Sequence, residues 1–278
     1  MGGLSSIKEV MTRIVVTADT HLGITDYPRV QKLVADIGAQ HPDLVAIAGD
    51  IGEGAENIGV VLDGFAGLGV PICACAGNHD LWNHDKKHPS RLLWEQILPA
   101  VAESSGAVWL DRINLIHKGV AIVGSVAWYD YSAQDPAFRS TPEECRRRKR
   151  EFDADAWMVD WPWSDVEFCS MIQPEFEGRL KAAQDDAGVR AIVVITHSPI
   201  FEGQMTRKPT NFKWGFSNAY YGNLTFGQIV AQHSKVTHAF AGHTHSGEEA
   251  TVEVEGRTIK AVTLDSQYGD PKFVALDL

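Results

Sequence analysis

Five short stretches carry side chains that ligate metals or move protons: Asp19-Thr20-His21, Gly49-Asp50, Gly77-Asn78-His79-Asp80, His197 and Gly242-His243-Thr244-His245. Each directly follows an apolar run: RIVVTA (13–18), DLVAIA (43–48), PICACA (71–76), AIVVIT (191–196) and VTHAFA (236–241). Taken singly, each stretch reads as a turn or a stray histidine. Five successive strand ends are another matter. In α/β sheets the C-terminal edge of parallel strands is where ligands sit, so these residues are expected to converge.

Carboxylate oxygens and imidazole nitrogens suit borderline divalent ions such as Mn²⁺, Fe²⁺ and Zn²⁺. No cysteine joins the set, which argues against a closed structural zinc site. The D-x-H and H-x-H spacings put two side chains on one side of an extended chain. Glycines just before Asp50, Asn78 and His243 let the backbone turn sharply beside the ions. Seven ligand-grade side chains exceed the needs of one ion: Asp19, His21, Asp50, Asn78, His197, His243 and His245. Two ions sharing one carboxylate is the economical arrangement. Such a pair, about 3.5–4 Å apart, activates a bridging water and stabilises both oxygens of a phosphoryl displacement.

The elements that must position these residues alternate. Helical periodicity over 28–40 (Val30, Leu33, Val34 and Ile37) and a weaker helix over 57–68 separate the first three strands, a βαβαβ pattern. A helix over 90–103 follows, then close-spaced strands within 108–128. A helix over 223–232 precedes VTHAFA. The tail, with TIKAVTL (258–264) and KFVALDL (272–278), reads as a closing hairpin. Two sheets flanked by helices accommodate this order. Two stretches fit the core pattern poorly and read as cap-like insertions in a single domain over 11–278: one near 129–173, the other near 201–222. Residues 1–10 read as a flexible extension.

The motif order, D-x-H, G-D, G-N-H-D, a lone His and G-H-x-H, resembles the calcineurin-like binuclear metallophosphoesterases from Asp19 to His245. The resemblance implies an α/β fold, a four-layer α/β/β/α sandwich with two mixed sheets. It implies Asp19, His21 and His245 on a first metal, Asn78, His197 and His243 on a second, and Asp50 bridging them. His79 would act on the leaving oxygen, with Asp80 orienting the loop or the imidazole. Cofactors would be two divalent ions (Mn²⁺, Fe²⁺/Fe³⁺ or Zn²⁺). The reaction would be hydrolysis of a small phosphomonoester or phosphodiester by a metal-bridging hydroxide. Glu53, three positions after Asp50, stands where the family often has an acidic residue. Whether Glu53 or Asp80 supports His79 is open at this stage. A nuclease, or a non-catalytic metal-binding protein, is the alternative on the same scaffold.

Composition narrows the partners. Among 278 residues the formal net charge is −11, so nucleic acid and anionic membranes are disfavoured, and a small phosphate ester is expected. Four cysteines (73, 75, 145 and 169) are expected as reduced thiols, and with no apolar leader the expected compartment is the cytoplasm. RRRKR (146–150), opened by Thr141-Pro142-Glu143-Glu144, reads as a solvated helix face rather than a nucleic-acid patch. Trp157, Trp161 and Trp163 are expected to pack the first insertion against the body, and His84 and His88 to line the mouth of the site. Arg207, Lys208 and Lys213 are the cations of the second insertion.

Overall fold

The structure, a computed structural model, describes residues 11–84 and 86–278, so the extension read into residues 1–10 lies outside it. The chain runs β1 (Arg13–Thr17), α1 (Tyr27–Gly38), β2 (Leu44–Ala48), α2 (Ala55–Ala66) and β3 (Ile72–Cys75). Helix α3 (Ser90–Leu92) passes through a π turn into α4 (Leu98–Ser104). Then come β4 (Val108–Trp109), β5 (Leu115–His117) and β6 (Val120–Ser125). Next are α5 (Pro142–Phe152), α6 (Asp155–Met158), α7 (Asp165–Asp185), β7 (Ala191–Thr196), α8 (Phe212–Ser217) and α9 (Leu224–Ala231). The chain closes with β8 (Val236–Ala241), β9 (Glu249–Val254), β10 (Arg257–Thr263) and β11 (Phe273–Asp277).

These strands make two mixed sheets, ordered β11-β1-β2-β3-β4 and β5-β6-β7-β8-β10-β9. The central strands are parallel; β11, β5 and β9 pair antiparallel at the edges. The sheets face each other through alternate residues. Ile14, Val16, Leu44, Ala46, Cys73 and Cys75 of one meet Val120, Ile122, Val193, Ile195 and Phe240 of the other. The opposite faces pack under helices, with α2 against β3 and α7 against β6. Burial on both faces is why β2, β3, β6 and β7 read as continuous apolar runs rather than alternating ones. This is the four-layer α/β/β/α arrangement. All four cysteines are buried and free. Desolvation between the sheets pushes the Cys73 and Cys75 thiols well up, so C-x-C here is core packing. Among the described residues no helix is long and apolar enough to cross a membrane.

Four expectations need correction. The tail is not a hairpin: β10 joins β8 and β9 in the second sheet, while β11 crosses to pair with β1 in the first. The first irregular stretch ends earlier than expected, because α7 begins at Asp165 and buries Phe168, Cys169 and Ile172. Trp157 does not pack the body; it is 67% exposed. Trp161 does, with its ring centroid 4.8 Å from Trp128 and 4.0 Å from Phe168. The basic run lies on α5, capped by the Thr141 side chain on the Glu144 amide, with proline in the first turn. Lys149 departs from the solvated reading: it is buried and bonds Asp165 at 2.7 Å.

Candidate metal centre

The C-terminal ends of β1, β2 and β3 in one sheet meet those of β7 and β8 in the other. Backbone bonds join the first motif to the second and the fourth to the fifth. The Asp19 amide donates to the Gly49 carbonyl (3.0 Å), that of His21 to Asp50 (2.9 Å), and that of Gly242 to His197 (3.0 Å). The glycines make this approach possible. A Cβ on Gly49 would lie 2.6 Å from His197 Nδ1, one on Gly77 2.1 Å from Asp50 Oδ1, and one on Gly242 2.5 Å from Asp19 Oδ2. Each glycine therefore makes room for a ligand-grade side chain from a different motif. Asp19, His21, Asp50, His243 and His245 all sit at positive φ, between 44° and 70°. Left-handed backbone costs an L-residue about 1–2 kcal/mol, a strain the surrounding sandwich sustains.

The carboxylates each have one oxygen held and one presented. Asp19 Oδ1 accepts the His243 amide at 2.9 Å, and Oδ2 is buried without a partner. Asp50 Oδ1 accepts the His79 amide at 2.9 Å, and Oδ2 lies 3.4 Å from both His21 Nε2 and His197 Nε2. The histidines follow the same rule. His21 Nδ1 donates to Glu53, His197 Nδ1 to the Ala48 carbonyl (2.9 Å), His243 Nε2 to the Tyr220 carbonyl (3.0 Å) and His245 Nδ1 to the Ser266 carbonyl. One nitrogen of each ring is thereby tied to the fold, which leaves the other turned toward the cluster. His21 Nε2 is buried with no hydrogen-bond partner. Asn78 Oδ1 lies 2.8 Å from His197 Nε2 and 3.0 Å from His243 Nδ1. Two groups of such atoms are Asp19–His21–His245 and Asp19–Asp50–His197, each within 4.8 Å. A third, His21–Asp50–His79, brings in His79 as well. Rings held by one nitrogen, with stranded oxygens and nitrogens facing a common point, fit divalent ions and nothing apolar.

The charges in the cluster pull on one another. Burial opposes ionisation of Asp50, but His197, His79 and His21 outweigh it and hold the carboxyl well below its usual range. Burial likewise opposes protonation of His197, yet Asp50 pushes it up to about 9. His243 is pushed down to about 4 by burial and by its neighbour His197.

Glu53, not Asp80, is the carboxylate that lies against the His79 ring. Glu53 Oε1 accepts from His79 Nδ1 at 2.9 Å and from His21 Nδ1 at 3.1 Å, while Oε2 contacts His84 Nε2 at 2.9 Å. Asp80 instead accepts the amides of Ile51 (2.8 Å), Gly52 (3.2 Å) and Gly77 (2.7 Å), which ties the two loops together. Desolvation, then the Asp50 charge, pushes Asp80 up to about 7. His84 and His88 do not line the mouth; with Glu53, Asn57 and Trp82 they open onto a separate cavity. Among the described residues, no potential metal group includes either of them.

A cavity of about 290 Å³ lies over Asp50, Asn78, His79, His243 and His245. Its walls come from both irregular stretches (Phe152, Asp153, Ala154, Trp214 and Tyr221) and from Trp82, Thr244 and Tyr268. Two of these were not foreseen, and neither was Asp155. Trp82 stacks on His79 with ring centroids 3.6 Å apart, and Tyr268 lies 4.8 Å from His21 and 4.9 Å from His245. Asp155, which bonds Asn78, had no sequence signal at all; its partner is 77 residues away. The cations of the second stretch are largely spoken for: Arg207 pairs with Glu202, and Lys208 lies over the Trp214 ring.

Comparison with known proteins agrees with this fold. Among solved structures, phosphopantetheinyl hydrolase from Mycobacterium tuberculosis superposes with a TM-score of 0.67 at 19% identity, over 96% of each chain. A dimetal phosphatase from Danio rerio gives 0.53 at 14% identity, over 91% of this chain and 86% of its own. A Thermus thermophilus protein gives 0.53 at 8% identity, over 91% and 88%. At these identities the likeness is one of fold. No curated protein matches the sequence. A family model described as calcineurin-like phosphoesterase matches residues 12–247. The chain therefore belongs to the calcineurin-like phosphoesterase family, hydrolases of phosphate esters that use two divalent metal ions.

Proposed function

We propose that the protein hydrolyses a small phosphate ester in the cavity over His79, with two divalent ions held at the strand ends. The observation that carries this reading is the shared orientation of His21, His197, His243 and His245: each has one nitrogen tied to the fold and the other facing the cluster. Asp19, His21 and His245 would hold one ion, Asn78, His197 and His243 the other, with Asp50 common to both. Such ions acidify water and cancel phosphate charge. The remaining work falls to the chain. Glu53 fixes His79 by its Nδ1, so Nε2 is the atom that can hand a proton to the departing oxygen. Burial disfavours the charged ring, but Asp50 and Glu53 outweigh it and raise the His79 pKa, which favours the protonated acid. Asp80 acts through the loops it joins.

Volume and charge limit the substrate. A cavity of about 290 Å³ takes a small molecule rather than a duplex, and the net charge of −11 opposes polyanions. No lysine or arginine appears among the described lining residues, and Asp153 does. A singly charged diester therefore suits the walls better than a doubly charged monoester. The test is to strip the metal, restore Mn²⁺, and compare p-nitrophenyl phosphate with bis-p-nitrophenyl phosphate. Turnover of the diester at higher kcat/KM is expected. Metal binding without turnover of either ester, or of a wider panel, would leave a non-catalytic metal protein instead.

A further inference from the structure

Asn78 is the one ligand-grade side chain of the cluster whose useful atom is not fixed by chemistry. An amide can present either its oxygen or its NH₂, and only the oxygen has a lone pair for a cation. Here Oδ1 faces His197 Nε2 and His243 Nδ1, and Nδ2 donates to Asp155 Oδ1 at 2.9 Å. A flipped amide would set Oδ1 against the Asp155 carboxylate, oxygen on oxygen, and turn its NH₂ on the two rings.

Asp155 is itself held from several sides. It is 1% exposed. Its Oδ1 also accepts from Trp82 Nε1 at 2.6 Å, and its Oδ2 from the Tyr129 hydroxyl at 2.9 Å. The short helix it opens is bolted to the loop after His79. The Asn83 amide donates to the Met158 carbonyl at 2.8 Å, and Asn83 Nδ2 donates to Asp160 at 2.7 Å. No residue of the five strand-end motifs does this work. It comes from the irregular stretch between β6 and α7, which also forms part of the cavity wall.

We propose that Asp155 is a positioning residue for one of the two metal positions: its carboxylate locks the Asn78 amide with the oxygen toward His197 and His243. A carboxylate on the NH₂ also draws electron density onto the carbonyl oxygen, which strengthens it as a ligand. Partners of this kind are typically worth about 10–100-fold in metal affinity. The effect is selective. Asp19, His21 and His245 have no contact with Asp155, so the other position keeps its grip. The stretch that shapes the cavity thereby also sets the occupancy of one ion, and this chain would lose that ion first when the stretch is disturbed. The inference rests on the ligand set proposed above.

The test is Mn²⁺ titration of the full chain by calorimetry, with Co²⁺ absorption as a second readout. In Asp155→Asn, one of two binding steps is expected to weaken by about 10–100-fold while the other holds, and the Co²⁺ spectrum loses the contribution of one ion. Tyr129→Phe removes only the hydroxyl that steadies Asp155 and should weaken the same step to a smaller extent. It keeps the test alive if Asp155→Asn fails to fold. Trp82→Phe removes the other donor to the same oxygen but not the Asn78 bond, and should affect that step less than Asp155→Asn does. Two steps of wild-type affinity in both Asp155→Asn and Tyr129→Phe would overturn the inference. So would equal weakening of both steps in a variant with an unchanged melting temperature. A wild-type chain that binds fewer than two ions would sink the ligand set and this inference together. A wild-type chain that binds two ions but hydrolyses neither ester would sink the proposed activity alone.

Discussion

The floor and the walls of the cavity are built on opposite principles. The floor is five strand ends fixed by two buried sheets, with strained left-handed residues and glycines that admit each other's side chains. The walls are short helices and loops, and the Tyr268 ring among them is 54% exposed. A rigid floor can hold charges at fixed separations; adjustable walls can change what fits above it. The difference teaches that chemistry and substrate choice are separable here, with Asp155 as the point where the walls reach into the floor.

Changes to the floor should therefore strike chemistry and metal together. Asp50→Asn removes the oxygen shared by His21 and His197. Turnover should fall on the order of 10³-fold, several kcal/mol of barrier, and Mn²⁺ stoichiometry should drop. Full activity with two ions bound would break the comparison outright. His79→Ala should lower kcat by about 10²–10⁴-fold while both ions stay. Loss of an ion in that variant would reassign His79 as a ligand, an option its closeness to His21 and Asp50 makes worth measuring. Glu53→Gln keeps the shape of the hub but weakens its hold on three rings. A loss of about 10–100-fold in kcat, checked by steady-state kinetics, is expected. Wild-type kcat there would show that His79 needs no support. Changes to the walls should be milder and substrate-dependent. Tyr268→Ala should raise KM for a bulky ester by about tenfold, roughly 1.4 kcal/mol, with little change in kcat for a small one. An equal fall in kcat for both esters would place Tyr268 in the floor's chemistry.

How much could be read from the sequence follows the same division. The floor was legible because its residues sit at the ends of apolar runs, where local pattern and chemistry coincide. The walls and the tail were not. Strand β11 has the same alternation as any neighbour of β10; what sends it to β1 is pairing across more than 250 residues, Arg13 opposite Asp277 through Thr17 opposite Phe273. The end of the first irregular stretch was hidden because α7 runs on through Pro174, a residue that ordinarily stops a helix. Trp161 and Trp157 look alike in sequence, yet one packs against Phe168 and the other faces solvent. Asp155 reads as one acid among many beside a basic run, and only its position under Asn78 distinguishes it.

The buried thiols turn this division into something a clock can read. Cys73 and Cys75 lie between the sheets, while Cys145 lies on α5 within the first wall stretch. A thiol reagent reaches each only when its own surroundings open. If the walls lift independently, Cys145 is modified while Cys73 and Cys75 stay protected, and the ratio of the two rates measures how loosely the roof is attached. Added Mn²⁺ should slow both, and Cys145 more steeply if the second ion draws Asp155 and its stretch down onto the floor.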